Sequence, residues 1–582
     1  MERRVLLALF LCFLVFYIYQ TLLPKPAAPP QAARPSGSQT SANQQVTAGS
    51  SPSEPNAPAA PAEAEVPPAA LVADTAERDI TLETGLVSAV FTNRGAVLKS
   101  WKLKRFPDSS GQYHDLVPQG LSADFPRPFS VRVDDGRLSR RLNSALFKVE
   151  TGSGRDLRFE YQDASGLKAR KEFRIDPNTY VVSVSLSAAI GTQEMNPAIV
   201  WGPALGPLGA GPASRYAQQS EGIVYLEGPT CQRQMLSRAC VVSRLNAAAI
   251  AKQPSHMGDV RFGGVDDQYF LAALVRPGAI TVEYRSVNVP VLESANQPPA
   301  VLVSYEARLD PPRWPQRVFI GPKDLDVLKS VDPDLVRAIN FGWFDWVVVP
   351  LLKSLKWLNG FIGNYGWSII ALTILINAAM FPLRHKSVVS MRKLQEIQPE
   401  VKAIQDRYAK LKATDPAKQK MNTELMSLYR ERGVNPASGC IPMVLTMPVL
   451  FAFYSLLSVA VELRGAPFIG WITDLSARDP LYITPVLMGA SMFVQQRMTP
   501  STLDPVQQKM MLIMPVVFTF MFLPAPSGLV LYWLVSNMWA IGQQKLTNYL
   551  IGPPAVHHVR PPAERRLRRA GGGKTEAAEK GE

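Results

Sequence analysis

The chain has 582 residues, 47% hydrophobic and 19% charged, a length that suits three or four domains. Residues 24–340 are polar or alternate polar with apolar, whereas residues 341–550 contain runs of 27, 29, 17 and 35 residues without one Asp, Glu, Lys or Arg. Runs of that length match the apolar thickness of a bilayer and exclude a single soluble globule. The 62 basic and 48 acidic residues leave +14, but residues 384–432 (12 Lys/Arg against 6 Asp/Glu) and the tail from Lys545 (8 against 4) hold most of it. Both segments flank apolar spans, so the charge reads as a cytoplasmic-side marker and not as a nucleic-acid surface.

In chain order, Met1-Glu2-Arg3-Arg4 precedes 19 apolar residues, Val5 to Leu23, longer than a signal-peptide core of about 7 to 15 and followed by prolines unsuited to cleavage. The sequence predicts an uncleaved anchor over 1–23. Residues 24–70 contain 11 Pro and 13 Ala with no aromatic, so a tether is expected over 24–76. From 77 to 320, short alternating runs such as Val87, Ala89, Phe91 and Leu157, Phe159, Tyr161 are broken by turns such as Asp163-Ala164-Ser165-Gly166, the pattern of a β-sandwich. Cys231 and Cys240 in this region are near enough in sequence to close a disulfide or to remain two thiols.

Residues 321–362 form a connector, and its part from Phe341 to Ile362, with Trp343, Trp346, Trp357, Lys353 and Lys356, suits a helix lying in the membrane interface or one that begins the next span. Five spans follow, about 363–383, 436–460, 480–497, 509–523 and 527–547, within a core of 363–550. With the anchor they place both termini in the cytoplasm and residues 24–340 outside. Residues 480–496 give only about 25 Å of helix, short of a bilayer core about 30 Å thick. The loop 384–432 carries Leu394, Ile397, Val401, Ile404, Tyr408 and Leu411 in alternating threes and fours, then Met421, Leu425 and Leu428, which predicts an antiparallel helical hairpin. A basic tail, 551–582, ends the chain.

Catalytic chemistry is missing from this pattern. Gly571-Gly572-Gly573-Lys574-Thr575 lacks the first glycine of a phosphate loop, since Arg568 stands there. The five histidines are scattered, no Cys/His spacing suits a metal, and no cofactor motif is found. No carboxylate lies well inside a span, where ion-coupled transport places one. The spans instead carry neutral polar residues, among them Thr373, Asn377, Gln495, Tyr532, Ser536 and Asn537, with Asn377 the strongest candidate for a wet cavity. Fourteen of the 18 methionines follow residue 377; flexible thioethers suit either a surface for varied apolar partners or lipid-facing filler.

Gly439-Cys440-Ile441-Pro442 with Met447-Pro448, Val461-Glu462-Leu463-Arg464 with Ala466-Pro467-Phe468, Trp471-Ile472 with Asp474-Leu475-Ser476, and Pro526-Ser527-Gly528-Leu529-Val530-Leu531-Tyr532-Trp533 together closely resemble the YidC/Oxa/Alb family of membrane protein insertases. The resemblance spans essentially the whole chain. It implies a Gram-negative inner-membrane protein without enzymatic activity: an anchor, a periplasmic super-sandwich, and five core helices around a hydrophilic groove open to cytoplasm and lipid. By position it assigns the groove to Thr373, Asn377, Gln495, Tyr532 and Trp533. It assigns a sliding surface for substrate to Met447, Pro448, Leu450, Met488, Pro515, Val517 and Met521. Asn377 departs from the family, which usually has arginine there. Implied partners are nascent membrane proteins, the Sec translocon, membrane lipids, and a ribosome or signal recognition particle receptor through the hairpin and basic tail. An anchored periplasmic sugar-binding or sugar-processing protein and a channel or transporter are the alternatives, distinguished by sugar turnover of the sandwich and by solute flux.

Overall fold

A computed structural model describes residues 68–107, 111–122, 125–152, 155–206, 220–227, 242–289, 300–408, 417–433, 441–498 and 505–551. The expected anchor, most of the tether, Cys231, Cys240 and the basic tail beyond residue 551 lie outside the described residues.

Period-two alternation builds the N-terminal half. In the strands Asp156–Asp163 and Leu167–Ile175, Leu157, Phe159, Tyr161, Leu167, Ala169 and Phe173 are buried while Arg158, Lys168 and Arg170 are exposed. Their turn is held by Asp163, whose Oδ1 accepts from the Ser165 amide at 2.9 Å, and by Gly166 at φ +85°, a conformation that favours glycine. Among the described residues fourteen strands form one sheet, with the 20-residue strand Phe270–Val289 paired antiparallel to Ser255–Asp266, Ala300–Leu309 and Gln316–Pro322. Asp79–Glu83, Val87–Thr92, Val97–Pro107 and Tyr113–Asp115 form a second, four-stranded sheet. Phe91 of the small sheet packs 4.8 Å from Phe173 of the large one, and Trp101 Nε1 donates across to the Ile320 carbonyl at 2.9 Å. The sandwich starts earlier than its alternation suggests. Ala70–Val72, assigned above to the tether, is an edge strand on Asp156–Asp163, too short for a periodic pattern to register.

Two short helices, α1 (Gly136–Ser144) and α2 (Ala247–Lys252), belong to the sandwich, and α3 (Leu325–Val331), capped by Asp324, leads out of it. In α4 (Asp345–Ile362), Val348, Leu352 and Leu355 are buried while Trp346, Trp357 and Phe361 stay 70%, 62% and 75% exposed. That division gives the helix one apolar packing face and one exposed aromatic face.

The C-terminal half comprises α5 (Tyr365–Ala379), α6 (Phe381–Glu396), α7 (Gln398–Arg407), α8 (Ala417–Glu431), α9 (Ile441–Val459), α10 (Ile483–Met498), α11 (Pro505–Phe522) and α12 (Ser527–Ile551). The span expected as one helix to residue 383 instead breaks at Met380, and α6 leaves α5 at 55°. Pro382 causes the break, because it has no N–H for the ladder and its ring crowds the preceding turn. The expected 384–432 hairpin is also divided. Its first part, α6, lies on the core, with Arg392 Nη2 donating to Asn548 Oδ1 at 2.5 Å, and only α7 and α8 pair as a hairpin through Arg432–Glu400 at 2.6 Å and Arg407–Glu424 at 3.4 Å. Ile397, expected on a continuous seam, sits at the break between α6 and α7. α10 packs on α11 and α12, α12 on α5, and α9 on α4. Among the described residues no single helix is long and apolar enough to cross a membrane; α5 and α6 together reach that length as a bent pair.

Candidate functional site

Helical spacing on α12 gathers polar groups. Tyr532, Ser536, Trp539, Gln543 and Thr547 follow one another at intervals of four, three, four and four residues, so they share one face. The ends of that face meet neighbours: the Tyr532 ring stacks on Phe453 of α9 at 4.3 Å, and Thr547 Oγ1 lies 3.3 Å from His385 Nδ1 of α6. Between them Gln543 is 6% exposed, and neither its amide oxygen nor its nitrogen has a hydrogen-bond partner among the described residues; the Trp539 Nε1 is equally unmatched. Buried polar atoms nearly always bond to protein or water, so this face holds places for water or a polar chain.

The bend at Met380 brings α6 to the same region. Arg384, in the first turn of α6, is half-buried, its charge reaches the Tyr532 phenol, and no carboxylate pairs with it among the described residues. On α5, Thr373 and Asn377 are buried and one turn apart. Their side chains bond their own helix, Thr373 Oγ1 to the Ile369 carbonyl at 2.6 Å and Asn377 Nδ2 to the Thr373 carbonyl at 2.8 Å. The structure thus places Thr373, Asn377 and Tyr532 inside the helical packing, and Gln495 half-buried on α10. Trp533 does not join them; its ring packs against Phe522 at 4.9 Å and Phe518 at 6.0 Å, on the side facing α11. Arg384, Trp539 and Gln543 were missed by sequence reasoning, although the four-three-four-four interval on α12 was available to find the last two.

The residues assigned to a sliding surface divide likewise. Met447, Val517 and Met521 are 37%, 51% and 38% exposed, and Pro448 and Leu450 are half-buried beside them on α9. Met488 is fully buried and Pro515 is buried, so neither contributes to an exposed surface. α10 and α11 meet closely there: Thr519 Oγ1 donates to the Pro515 carbonyl at 2.8 Å, and a methyl group at Gly489 would overlap that same hydroxyl. Outward from the packing stand Leu375, Val486, Leu487, Ile513, Val516 and Phe520, each at least half exposed. So many large apolar side chains left exposed on α5, α10 and α11 suit a surface that meets another apolar phase.

The sandwich is tied to the helices through the loop after α9. Lys356 of α4 pairs with Glu462 at 3.4 Å, with Asp324 at 3.3 Å and with Asp326, while Gln268 donates to the Ser458 carbonyl at 2.5 Å. Burial raises the Glu462 carboxyl above its ordinary range and Asp324 adds to the effect, with Lys356 pulling the other way. No group of three or more His, Cys, Asp or Glu is placed to hold a metal among the described residues.

The family described as the YidC periplasmic domain matches residues 79–354, and the one described as the 60Kd inner membrane protein matches residues 357–552. A membrane protein insertase YidC of Pelobacter propionicus is 35% identical over 579 residues, covering 95% of this chain and 100% of the relative. That of Geobacter metallireducens is 36% identical over 562 residues, covering 94% and 98%. The chain belongs to the YidC membrane protein insertase family. Membership makes it an inner-membrane insertase with a mostly β periplasmic domain and a helical C-terminal part. Among solved structures, an active YidC insertase resembles 82% of this chain and 94% of its own at 18% identity and a TM-score of 0.34. A putative aldose 1-epimerase from Escherichia coli K12 resembles 42% of this chain and 100% of its own at 10% identity and a TM-score of 0.25. Scores so low bear on neither mechanism nor substrate.

Proposed function

We propose that the polar face of α12, with Thr373, Asn377 and Arg384 opposite, is the wet path by which a substrate's polar end crosses part of the membrane. The observation that carries this reading is the buried, unmatched amide of Gln543 on the same helix face as Tyr532 and Thr547. A polar group costs several kcal/mol in hydrocarbon unless partners accompany it, and unmatched donors and acceptors lining the path supply those partners. The substrate's apolar segment then leaves along Met447, Pro448, Leu450, Val517 and Met521 into lipid. Burial of that segment drives the step, and the membrane potential adds about 2.3 kcal/mol per charge per 100 mV for an acidic end moving outward. Where the family usually carries arginine at the Asn377 position, Arg384 supplies the cation in this chain.

The topology read from the charges completes the proposal: both termini and α7–α8 in the cytoplasm, residues 24–340 outside, and α4 at the outer interface. α10 has 16 residues, about 24 Å, so the bilayer beside it is thinned and the dry path shortened. The hairpin and basic tail are the surfaces for a ribosome, its receptor or the translocon. The test is depletion of this protein while insertion of small one- and two-span membrane proteins is followed, with rescue by wild type, Gln543→Leu and Arg384→Gln. Full rescue by a stably folded Gln543→Leu protein would remove the polar path. Arg384→Gln should fail selectively on substrates with acidic exported ends. Reaction of an impermeant thiol reagent near Asp406 in intact spheroplasts, with none near Gly111, would overturn the topology.

A further inference from the structure

A cleft of about 480 Å3 opens on the solvent face of the large sheet, over the strands Asp156–Asp163, Leu167–Ile175 and Val181–Ile190. Ser187 and Ala189 form its floor, and Val72, Met195, Pro312 and Trp314 form an apolar wall. Arg170 at the rim is already answered by Glu160 at 3.7 Å, whereas Lys168 beside it pairs with no carboxylate among the described residues. An indole and a proline above a polar rim form the kind of lining that receives proline-rich segments, whose fixed φ leaves little entropy to lose on binding.

The same chain carries such a segment in its sequence shortly before Ala70–Val72, the strand that borders the cleft. Residues 52–61 read Pro52-Ser53-Glu54-Pro55-Asn56-Ala57-Pro58-Ala59-Ala60-Pro61, with proline at every third position. Polyproline II has three residues per turn, a period that the spacing of these four prolines matches. From residue 50 to 67 the charges are Glu54, Glu63 and Glu65, opposite in sign to Lys168 and Arg170 and like in sign to Glu160 and Glu194, which also line the cleft. The chain enters the sandwich at this rim: the Ala69 carbonyl accepts from the Ala164 amide at 3.0 Å, and Val72, three residues on, belongs to the wall. Only seven residues lie between Pro61 and Ala69, eight steps with a reach of at most about 28 Å.

We propose that residues 52–61 dock in this cleft with their prolines against Trp314 and Pro312, which folds the linker back on the sandwich and leaves residues 24–51 as the free tether to the N-terminal segment. The short connection gives the segment a high effective concentration, so a contact too weak to hold two separate molecules closes here. This proposal stands on the cleft and the proline period, independently of how substrates cross the membrane.

The experiment uses the full-length protein in detergent, its four native cysteines changed to serine, with Ala57→Cys and Ser187→Cys offered to a short bis-maleimide. Cross-linking is expected in high yield, falling about tenfold when Pro52, Pro55, Pro58 and Pro61 are all changed to Ser, as loss of an intramolecular contact predicts. That change does not touch the sandwich, so misfolding does not confuse the result. Trp314→Ala at an unchanged melting temperature should give a similar loss, and a peptide of residues 50–65 in excess should compete. Equal yields from the native and proline-free linkers would overturn the proposal. So would displacement by a neutral oligosaccharide or an unrelated extended peptide but not by residues 50–65, which assigns the cleft to another ligand.

Discussion

Arg464 Nη2 donates to Nδ1 of His114 at 3.2 Å, joining residues 350 positions apart. A guanidinium has no acceptor, so the imidazole accepts and that nitrogen carries no proton. Arg464 also lies 4.8 Å from the Phe270 ring and 5.5 Å from Tyr269, while Glu462 two residues earlier meets Lys356. Arg464 therefore keys the loop after α9 to the sandwich, and Glu462 keys the same loop to α4. Arg464→Ala is expected to uncouple the two halves, so that calorimetry of the detergent-solubilised protein resolves two transitions. His114→Phe keeps the ring stack on Phe270 and loses the acceptor that Arg464 uses, at about 1 to 2 kcal/mol. A single unshifted transition in Arg464→Ala would refute the coupling.

Asp479 is fully buried just before α10, accepting from Thr484 N and Thr484 Oγ1 at 2.7 Å each, Leu481 N at 2.9 Å and Trp471 Nε1 at 3.0 Å. Burial works to raise its carboxyl, but these four donors prevail and hold it below the ordinary aspartate range. A lowered folded value contributes stability above the unfolded value near 3.9, lost as the pH falls through the folded one. Asp479→Asn should cost about 1 to 3 kcal/mol at pH 7. Its deficit relative to wild type should shrink as the pH falls below the unfolded value near 3.9; an equal deficit at neutral and acid pH would contradict the assignment.

Lys171 is buried between the two sheets, with Nζ donating to the carbonyls of Gly95 at 2.6 Å, Phe129 at 2.8 Å and Ala96 at 3.2 Å. Burial lowers its ammonium group to about 7. Since the unfolded value lies near 10.4, the unfolded chain holds a proton that the folded one releases between those values, and stability rises with pH across that window. Lys171→Met should abolish that slope, and the cost of three carbonyls losing their donor should emerge as the pH rises from 7 toward 10, where the wild type no longer bears the burial penalty of the ammonium. Urea melts of both proteins from pH 7 to 10 measure the two effects, and parallel slopes would count against the buried charge.

Gly489 on α10 faces the Thr519 hydroxyl on α11 with no room for a methyl group. Gly489→Ala is expected to force the helices apart at about 1 to 3 kcal/mol, the usual cost of overpacking. Gly489→Ala with Thr519→Ala should recover most of it, and a double-mutant cycle on melting temperature reads the coupling.

Asn377 bonds its own helix instead of a neighbouring one, so Asn377→Leu should leave the melting temperature nearly unchanged. Insertion by that variant should fall nonetheless, and Asn377→Arg should be tolerated. Normal insertion by stable Asn377→Leu would mean that the polarity of α5 plays no part.

Long periodic or apolar segments were legible in the sequence because a single physical force acts along each. Alternation marked the strands around Leu157 and Phe173, and the charge-free runs marked five of the helices. Local steric effects leave weaker marks: Pro382 alone is enough to break the first core helix at Met380, and three residues are too few to announce the edge strand Ala70–Val72.

The site divides in the same way. The residue types and spacings of Thr373, Asn377 and Tyr532 are properties of the chain, and the helices bury all three as their positions suggest. Which face each helix turns inward depends on packing that no local pattern encodes. Met488 of α10 and Pro515 of α11 turn inward, Trp533 goes to the side of Phe522, and the bend carries Arg384 toward Tyr532. Contacts such as Arg464 with His114 lie further still beyond the sequence, because their partners are chosen only when a folded sandwich and a folded helical core meet.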